Sequence, residues 1–80
     1  MFYVYIIKSE IDDRLYIGFS TELKGRIKAH NFGQSIHTAK YKPWKLICYL
    51  AFEDVDTAKQ FEKYLKSHSG RIFLKKRLIK

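Results

Sequence analysis

The side chains of this 80-residue chain that could do chemistry together are Tyr5, Tyr16, Arg26, His30 and Glu62: two phenols, a guanidinium, an imidazole and one carboxylate. Hydrolysing a phosphodiester needs a positioned water, a group to take its proton, positive charge on the non-bridging oxygens and help for the leaving oxygen. These five residues can divide those tasks. Glu62 can hold one divalent cation, Mg²⁺ or Mn²⁺, because Mg²⁺ keeps most of its waters and is satisfied by one carboxylate plus substrate oxygens. Arg26 can lay its planar fork on the phosphate as charge develops. Tyr16, beside positive charge, can take the proton from water, with Tyr5 or His30 positioning that water or assisting the transfer.

Each residue also has a plainer reading. A tyrosine in a strand usually fills a core or an interface. Arg26 and His30, four apart, can form a solvated helix edge, and Glu62 among Lys59, Lys63 and Lys66 can be a helix ion-pair partner. His37 and His68 are isolated and lack the paired spacing of a zinc site. No thiol-histidine nucleophile, phosphate-cradling glycine loop or seryl triad can be assembled from the rest.

Phe2 to Lys8 is an unbroken run of β-branched and aromatic residues, read as a central strand covered on both faces. Ser9 to Asp13 suits a turn, and Arg14 to Phe19 a second strand antiparallel to the first. Alternation sends Tyr16 and Gly18 one way and Leu15, Ile17 and Phe19 the other. A glycine inside a strand marks a bulge or a close approach, so Gly18 is a candidate ligand contact. Ser20 and Thr21 are capping residues for a helix from about Thr21 to His30 or Asn31. Its apolar stripe is Leu23 and Ile27, with Arg26 and His30 on or beside it. Gly33 to Lys42 reads as a polar loop bearing His37, Lys40, Tyr41 and Lys42.

A third strand follows Pro43, Trp44 to Phe52, with Leu46, Cys48 and Leu50 expected on one face and Ile47, Tyr49 and Ala51 on the other. Asp54 or Asp56 can cap a helix over Val55 to Ser67 whose inward stripe is Ala58, Phe61 and Leu65, bordered by Glu62. Ser69-Gly70 reads as a break, with Ser69 capping a last helix, Arg71 to Ile79. That helix is expected to pack Ile72, Leu74 or Phe73, and Leu78 while showing Arg71, Lys75, Lys76, Arg77 and Lys80. The order β-β-α-β-α-α predicts an α+β fold, a three-stranded antiparallel sheet flanked by helices, as a single domain over residues 1–80.

Composition narrows the partner. Sixteen Lys and Arg against eight Asp and Glu leave a formal charge of +8, a field that favours polyanions, with nucleic acid first. No apolar run approaches the roughly 20 residues of a spanning helix, and Phe2 to Ile7 is too short and β-like for a signal peptide. A membrane is therefore not expected. A single cysteine, Cys48, excludes an intrachain disulfide and suits a reducing cytoplasmic setting.

Tyr3-Val4-Tyr5, Tyr16-Ile17-Gly18, Leu23-x-x-Arg26-x-x-x-His30-Asn31 and the late Glu62 together resemble the GIY-YIG endonuclease superfamily, in particular its small single-domain branch. The resemblance runs from Phe2 to about Leu78. The second triplet and the arginine-histidine spacing are its most specific parts. It implies a central three-stranded sheet, one divalent metal held by the glutamate, and tyrosine-assisted attack on a DNA phosphodiester. Tyr5 matches the last position of the first triplet, Tyr16 the first of the second, and Arg26, His30 and Glu62 the helix positions. Tyr3 stands where the first triplet has glycine, Phe19 where some relatives place a lysine, and only Leu74 and its basic neighbours lie where many members carry an asparagine.

The function expected is metal-dependent hydrolysis of DNA, of a branched, nicked or damaged form, with nucleic-acid contacts from Gly18, Lys24, Lys28, Lys40 and Lys42 as well as Arg26. The alternative is a nucleic-acid-binding module on the same scaffold that cuts weakly or not at all. A third reading docks the basic C-terminal helices on an acidic partner.

Overall fold

The computed structural model describes residues 1–79. Strand β1 spans Phe2–Ser9, β2 Leu15–Ser20 and β3 Trp44–Phe52; helix α1 spans Leu23–Asn31, α2 Val55–Lys66 and α3 His68–Phe73. A 3-10 turn, Ala39–Tyr41, lies between α1 and β3, and a single π-helical turn, Leu74–Leu78, continues α3. The expected α+β architecture is present: an antiparallel sheet in the order β2-β1-β3 with the helices packed on it. Lys80, expected among the exposed basic side chains of the last helix, lies outside the described residues.

The apolar run of β1 is central because both of its faces are covered. Val4 and Ile6 pack with Ile17, Ala58, Leu65 and Leu74 on one side. Tyr5 and Ile7 pack with Trp44, Leu23 and Ile27 on the other. Burying side chains of this size contributes about 1.5–3 kcal/mol each before chain entropy is counted. Helix α2 thus covers one face and α1 the other.

In β2 the alternation falls as its sequence predicts: Gly18 lies opposite Tyr5 and Tyr16 opposite Ile7, on the α1 side, while Ile17 lies opposite Ile6. Strand β3 departs from simple alternation. Cys48 pairs with Ile6 but Leu46 pairs with Ile7, so Ile47 is an extra residue, a bulge. One extra residue reverses the facing of everything before it. Leu46 therefore joins Tyr5 and Trp44 under α1, and Ile47 joins Cys48 on the α2 side, the opposite of the uninterrupted pattern.

Two helix boundaries also differ from expectation. Ser20 and Thr21 do not cap α1. The Ser20 hydroxyl instead accepts from the Glu22 N–H at 3.0 Å and donates to the Glu22 carbonyl at 3.1 Å, closing a turn ahead of the helix. Asp54 caps α2 as expected, accepting from the Thr57 N–H at 2.8 Å. At the chain's end the break falls earlier than Ser69-Gly70, because Ser67 caps α3 through the Gly70 N–H at 3.1 Å. Gly70 is buried inside that helix, where a Cβ would sit 1.7 Å from the Tyr64 carbonyl oxygen. It is there for close packing of α3 on the end of α2, not to stop a helix. Leu74 is core, and Ile72, expected inward, is 44% exposed. No helix of the described residues is long and apolar enough to cross a membrane.

Candidate active site

The hairpin and α1 build the site on the sheet face opposite α2. Because Gly18 lies directly across from Tyr5 and has no side chain, the Tyr5 ring lies over it. A Cβ at position 18 would sit 2.3 Å from both Cζ and Oη of that ring. Gly18, expected as a ligand contact, is thus in the first instance the floor beneath the Tyr5 phenol.

Helix α1 then brings a histidine to that phenol. Leu23 and Ile27 seat the helix on the sheet, and His30, on the same stripe, is turned fully inward. Its Nε2 lies 2.7 Å from Tyr5 Oη and its Nδ1 2.7 Å from Thr38 Oγ1. A neutral imidazole carries one N–H and one bare nitrogen, so one hydroxyl must accept and the other donate. Thr38, itself buried, accepts at its backbone carbonyl from the Trp44 indole N–H at 2.8 Å. Asn31 clamps the backbone of Trp44 from both sides, donating to its carbonyl at 3.1 Å and accepting from its N–H. The Tyr16 ring meets the edge of the His30 ring with centroids 5.1 Å apart, and Tyr16 also borders Tyr5 and Trp44.

Electrostatics follows from this packing. Burial pushes the Tyr5 phenol above its ordinary value; the Arg26 guanidinium works against that shift, and Tyr16, when ionised, and Glu62 reinforce it. The same contact with Tyr5 raises the proton affinity of Arg26, which is otherwise exposed to solvent. His30 is held below its usual range, first by burial and then by the charge of Arg26. It is therefore a neutral ring at physiological pH, sealed from solvent with both of its hydroxyl partners, Tyr5 and Thr38, buried as well.

Glu62 comes from the other face of the sheet. Lys59, one turn before it on α2, lies 5.5 Å from the Phe19 ring of β2, which sets this flank of the helix against the β2 edge. From there the Glu62 charge acts on Tyr5. Its side chain is 22% exposed, and Oε2 accepts from Lys66 Nζ at 3.0 Å. Its other carboxylate oxygen has no protein partner among the described residues. Nor do these residues hold a cluster of three metal-ligating side chains. A cation here would have one carboxylate oxygen and its own waters, a donor set that suits Mg²⁺ better than a fully protein-caged ion.

The structure thus brings Tyr5, Tyr16, Arg26 and His30 into one group, with Glu62 within electrostatic reach. It does not gather the lysines there. Leu23, Ile27 and His30 face the sheet, so at 100° per residue Arg26 falls on one flank of α1 and Lys24 and Lys28 on the other. Lys24 and Lys28 line a separate groove with Leu46 and Tyr49. Lys40 and Lys42 stand on the exposed loop, where the Lys42 amine lies over Gly33, a residue at φ +76°. Leu74, at the position where the resemblance implies an asparagine, is 1% exposed in the α2-side core.

Thr38, Trp44 and Asn31 hold His30, and the sequence marks only Asn31 of the three, as the residue next to His30 in its motif. Asn31 follows His30 directly, but its pairing with Trp44 spans 13 residues and leaves no periodic trace.

A family profile described as the GIY-YIG catalytic domain matches residues 1–77. A UPF0213 protein of Clostridium perfringens is 42% identical over 67 residues, 82% of this chain and 71% of that protein. A UPF0213 protein of Streptococcus pyogenes is 31% identical over 70 residues, 86% and 75% of the two chains. The solution NMR structure of the UPF0213 protein BH0048 from Bacillus halodurans has a TM-score of 0.56 and 31% identity, covering 92% of this chain and 82% of that one.

Proposed function

Since this chain belongs to the GIY-YIG family, we propose that it is a metal-dependent endonuclease hydrolysing DNA phosphodiester bonds, with Tyr5, Tyr16, Arg26, His30 and Glu62 as its working residues. The observation that carries the reading is the Tyr5–His30–Thr38 chain of hydrogen bonds beside the exposed Arg26. A histidine can be fully buried only where both nitrogens are matched, since an unmatched buried polar group costs about 1–3 kcal/mol, and here each meets a hydroxyl. The arrangement makes sense as a device that fixes the Tyr5 hydroxyl.

In this reading Arg26 receives the phosphate, being the cation exposed at the mouth of the site. Tyr16, half-buried and without a hydrogen bond to His30, is the phenol whose ionised form, having given up its own proton, can take one from the attacking water. Tyr5 and His30 position: with Nδ1–H donating to Thr38, Nε2 accepts from Tyr5 and aims its oxygen lone pairs at Arg26. Glu62 would hold one Mg²⁺ or Mn²⁺, which when bound supplies positive charge for the phosphate oxygens and the leaving group. The substrate we favour is a branched, nicked or damaged DNA, met in the cytoplasm.

A specific observation favours the alternative of a binding module that cuts weakly. Leu74 is committed to the core, and Phe19 packs on the α2 side, so neither the late asparagine nor the lysine of some relatives has a substitute at its own position.

Cleavage of branched, nicked and intact duplex DNA in Mg²⁺ or Mn²⁺, by the native chain and by Glu62→Ala, tests the proposal. Metal-dependent product from the native chain and its loss in the variant are expected. Equal product from both would remove Glu62 from the mechanism, and no product from either would leave the binding module as the better account.

A further inference from the structure

On the same sheet face as Tyr5, but across α1 from Arg26, the wall of the molecule is open. Tyr49 lies opposite Tyr5 in the register of β1 and β3, yet it is 53% exposed, whereas Tyr5 is 1% exposed. Beside it Leu23, Ile27 and Leu46 line a groove of about 370 Å³ whose rim is Lys24 and Lys28. The Tyr3 ring meets Tyr49 edge-on at 6.0 Å and extends the aromatic wall toward the start of α1. An apolar floor, an exposed ring and two cations one helical turn apart are the elements of single-strand recognition: bases stack on the ring while phosphates run along the cations.

We propose that this groove binds an unpaired nucleotide of the DNA strand being cut, with Tyr49 as the stacking platform and Lys24 and Lys28 as its phosphate contacts. The proposal deepens the nuclease reading, and it rests on that reading in taking nucleic acid to be the ligand. Charge complementarity selects the occupant: the lining is apolar apart from Lys24 and Lys28, with Glu22 as an acidic neighbour at the Tyr3 end, on a chain of net charge +8. An apolar peptide would gain nothing from the two lysines. Position selects the strand. A phosphate on Arg26 and a base on Tyr49 lie on opposite flanks of α1, so the strand joining them passes around a helix about 10–12 Å across. At about 3.4 Å of rise per nucleotide, that path takes at least about three nucleotides. The substrate would then be DNA with unpaired nucleotides next to the scissile bond, which a nick, flap or branch supplies.

Equilibrium binding of a fluorescein-labelled oligothymidylate, and of a blunt duplex of mixed sequence, to the intact chain in EDTA tests this without cleavage. Tyr49→Ala is expected to weaken single-strand binding by about tenfold or more, Tyr49→Phe to stay within about threefold of native, and duplex binding to change little in either. Because Tyr49 is exposed, unchanged circular dichroism melting of both variants is expected and excludes misfolding as the cause. Equal weakening of single-strand and duplex binding, or no weakening by Tyr49→Ala, would overturn the proposal. So would a dimer, seen by sedimentation, that Tyr49→Ala dissociates, since the groove would then belong to a second copy. The two readings fail separately: loss of cleavage in Glu62→Ala with unaltered binding by Tyr49→Ala refutes the groove alone. A Tyr49 effect on binding in a chain that cuts nothing refutes the hydrolase alone.

Discussion

Tyr5 pairs with the buried His30 and, in the proposed mechanism, positions groups at the phosphate, and removing its hydroxyl should affect both. Tyr5→Phe leaves His30 Nε2 buried without its partner. The expected loss of stability is about 1–3 kcal/mol, measured by urea unfolding, together with loss of cleavage. Tyr16→Phe should lose cleavage with little change in stability, because no side-chain hydrogen bond of the described residues depends on the Tyr16 hydroxyl. His30 makes a further residue-scale prediction through pH. Its folded pKa lies below the unfolded value near 6.5, by burial and by Arg26, so the unfolded chain binds the proton first as pH falls. Stability contributed by the neutral ring is complete above about pH 6.5 and is lost as pH falls from there toward the folded pKa. The urea midpoint should fall over this window in the native chain, and that part of the fall should be missing in His30→Gln. Asp12 and Asp54, whose carboxyls are held below their usual range by hydrogen bonds and by the Arg14 charge at Asp12, act only in a more acidic window.

Among the elements, glycine positions are the sharpest probes. Gly18→Ala would drive a methyl into the Tyr5 ring, so a loss of about 1–3 kcal/mol is expected, and cleavage should fall with it as the phenol is displaced. Gly70→Ala meets backbone at the Tyr64 carbonyl, which a rotamer change cannot relieve. Its melting temperature should drop further than that of Ser67→Ala, which removes the α3 cap and the Ser67 hydroxyl's bond to the Tyr64 carbonyl and costs about 1–2 kcal/mol. The same positions mark where sequence could be read and where it could not. The apolar run of β1, the alternation of Tyr16 and Gly18, and the stripe Ala58, Phe61, Leu65 each declare a period, and the structure follows them. Strand β3 also declares a period, but a bulge at Ile47 has no local signature because it answers to the partner strand. Gly70 looked like a helix stop because its demand for space comes from α2, six residues earlier in the chain. Tyr5, Tyr16, Arg26, His30 and Glu62 were legible as a joint pattern of residue types. Thr38 and Trp44, which fix His30, were not, because a loop without period conceals which side chain turns inward.

For the molecule as a whole, size and charge decide what kind of binding is available. Its extents are 29 × 25 × 18 Å and its accessible surface 5552 Å². A single DNA-binding module buries about 600–1,000 Å², a small share of that surface. Phosphate contacts should therefore dominate affinity, and log K for a single strand should fall linearly with log salt concentration. Replacing Lys24 and Lys28 together by Ala should flatten that slope by about 1.4, at about 0.7 per phosphate contact. Replacing Lys75 and Lys76, which are exposed beyond α3 on the far side of the sheet, should leave it unchanged.

Residues from β1, β2, α1 and α2 are proposed to act on one phosphate as a unit. Single-turnover cleavage of a nicked DNA in Mg²⁺, compared among the native chain, Arg26→Ala, Glu62→Ala and the double variant, tests it most directly. Each single change should slow the reaction by about a hundredfold to a thousandfold, and the double variant should be about as slow as the slower single, since residues of one unit are not additive. Losses that multiply in the double variant, or a Glu62→Ala chain that cuts at the native rate, would contradict the account.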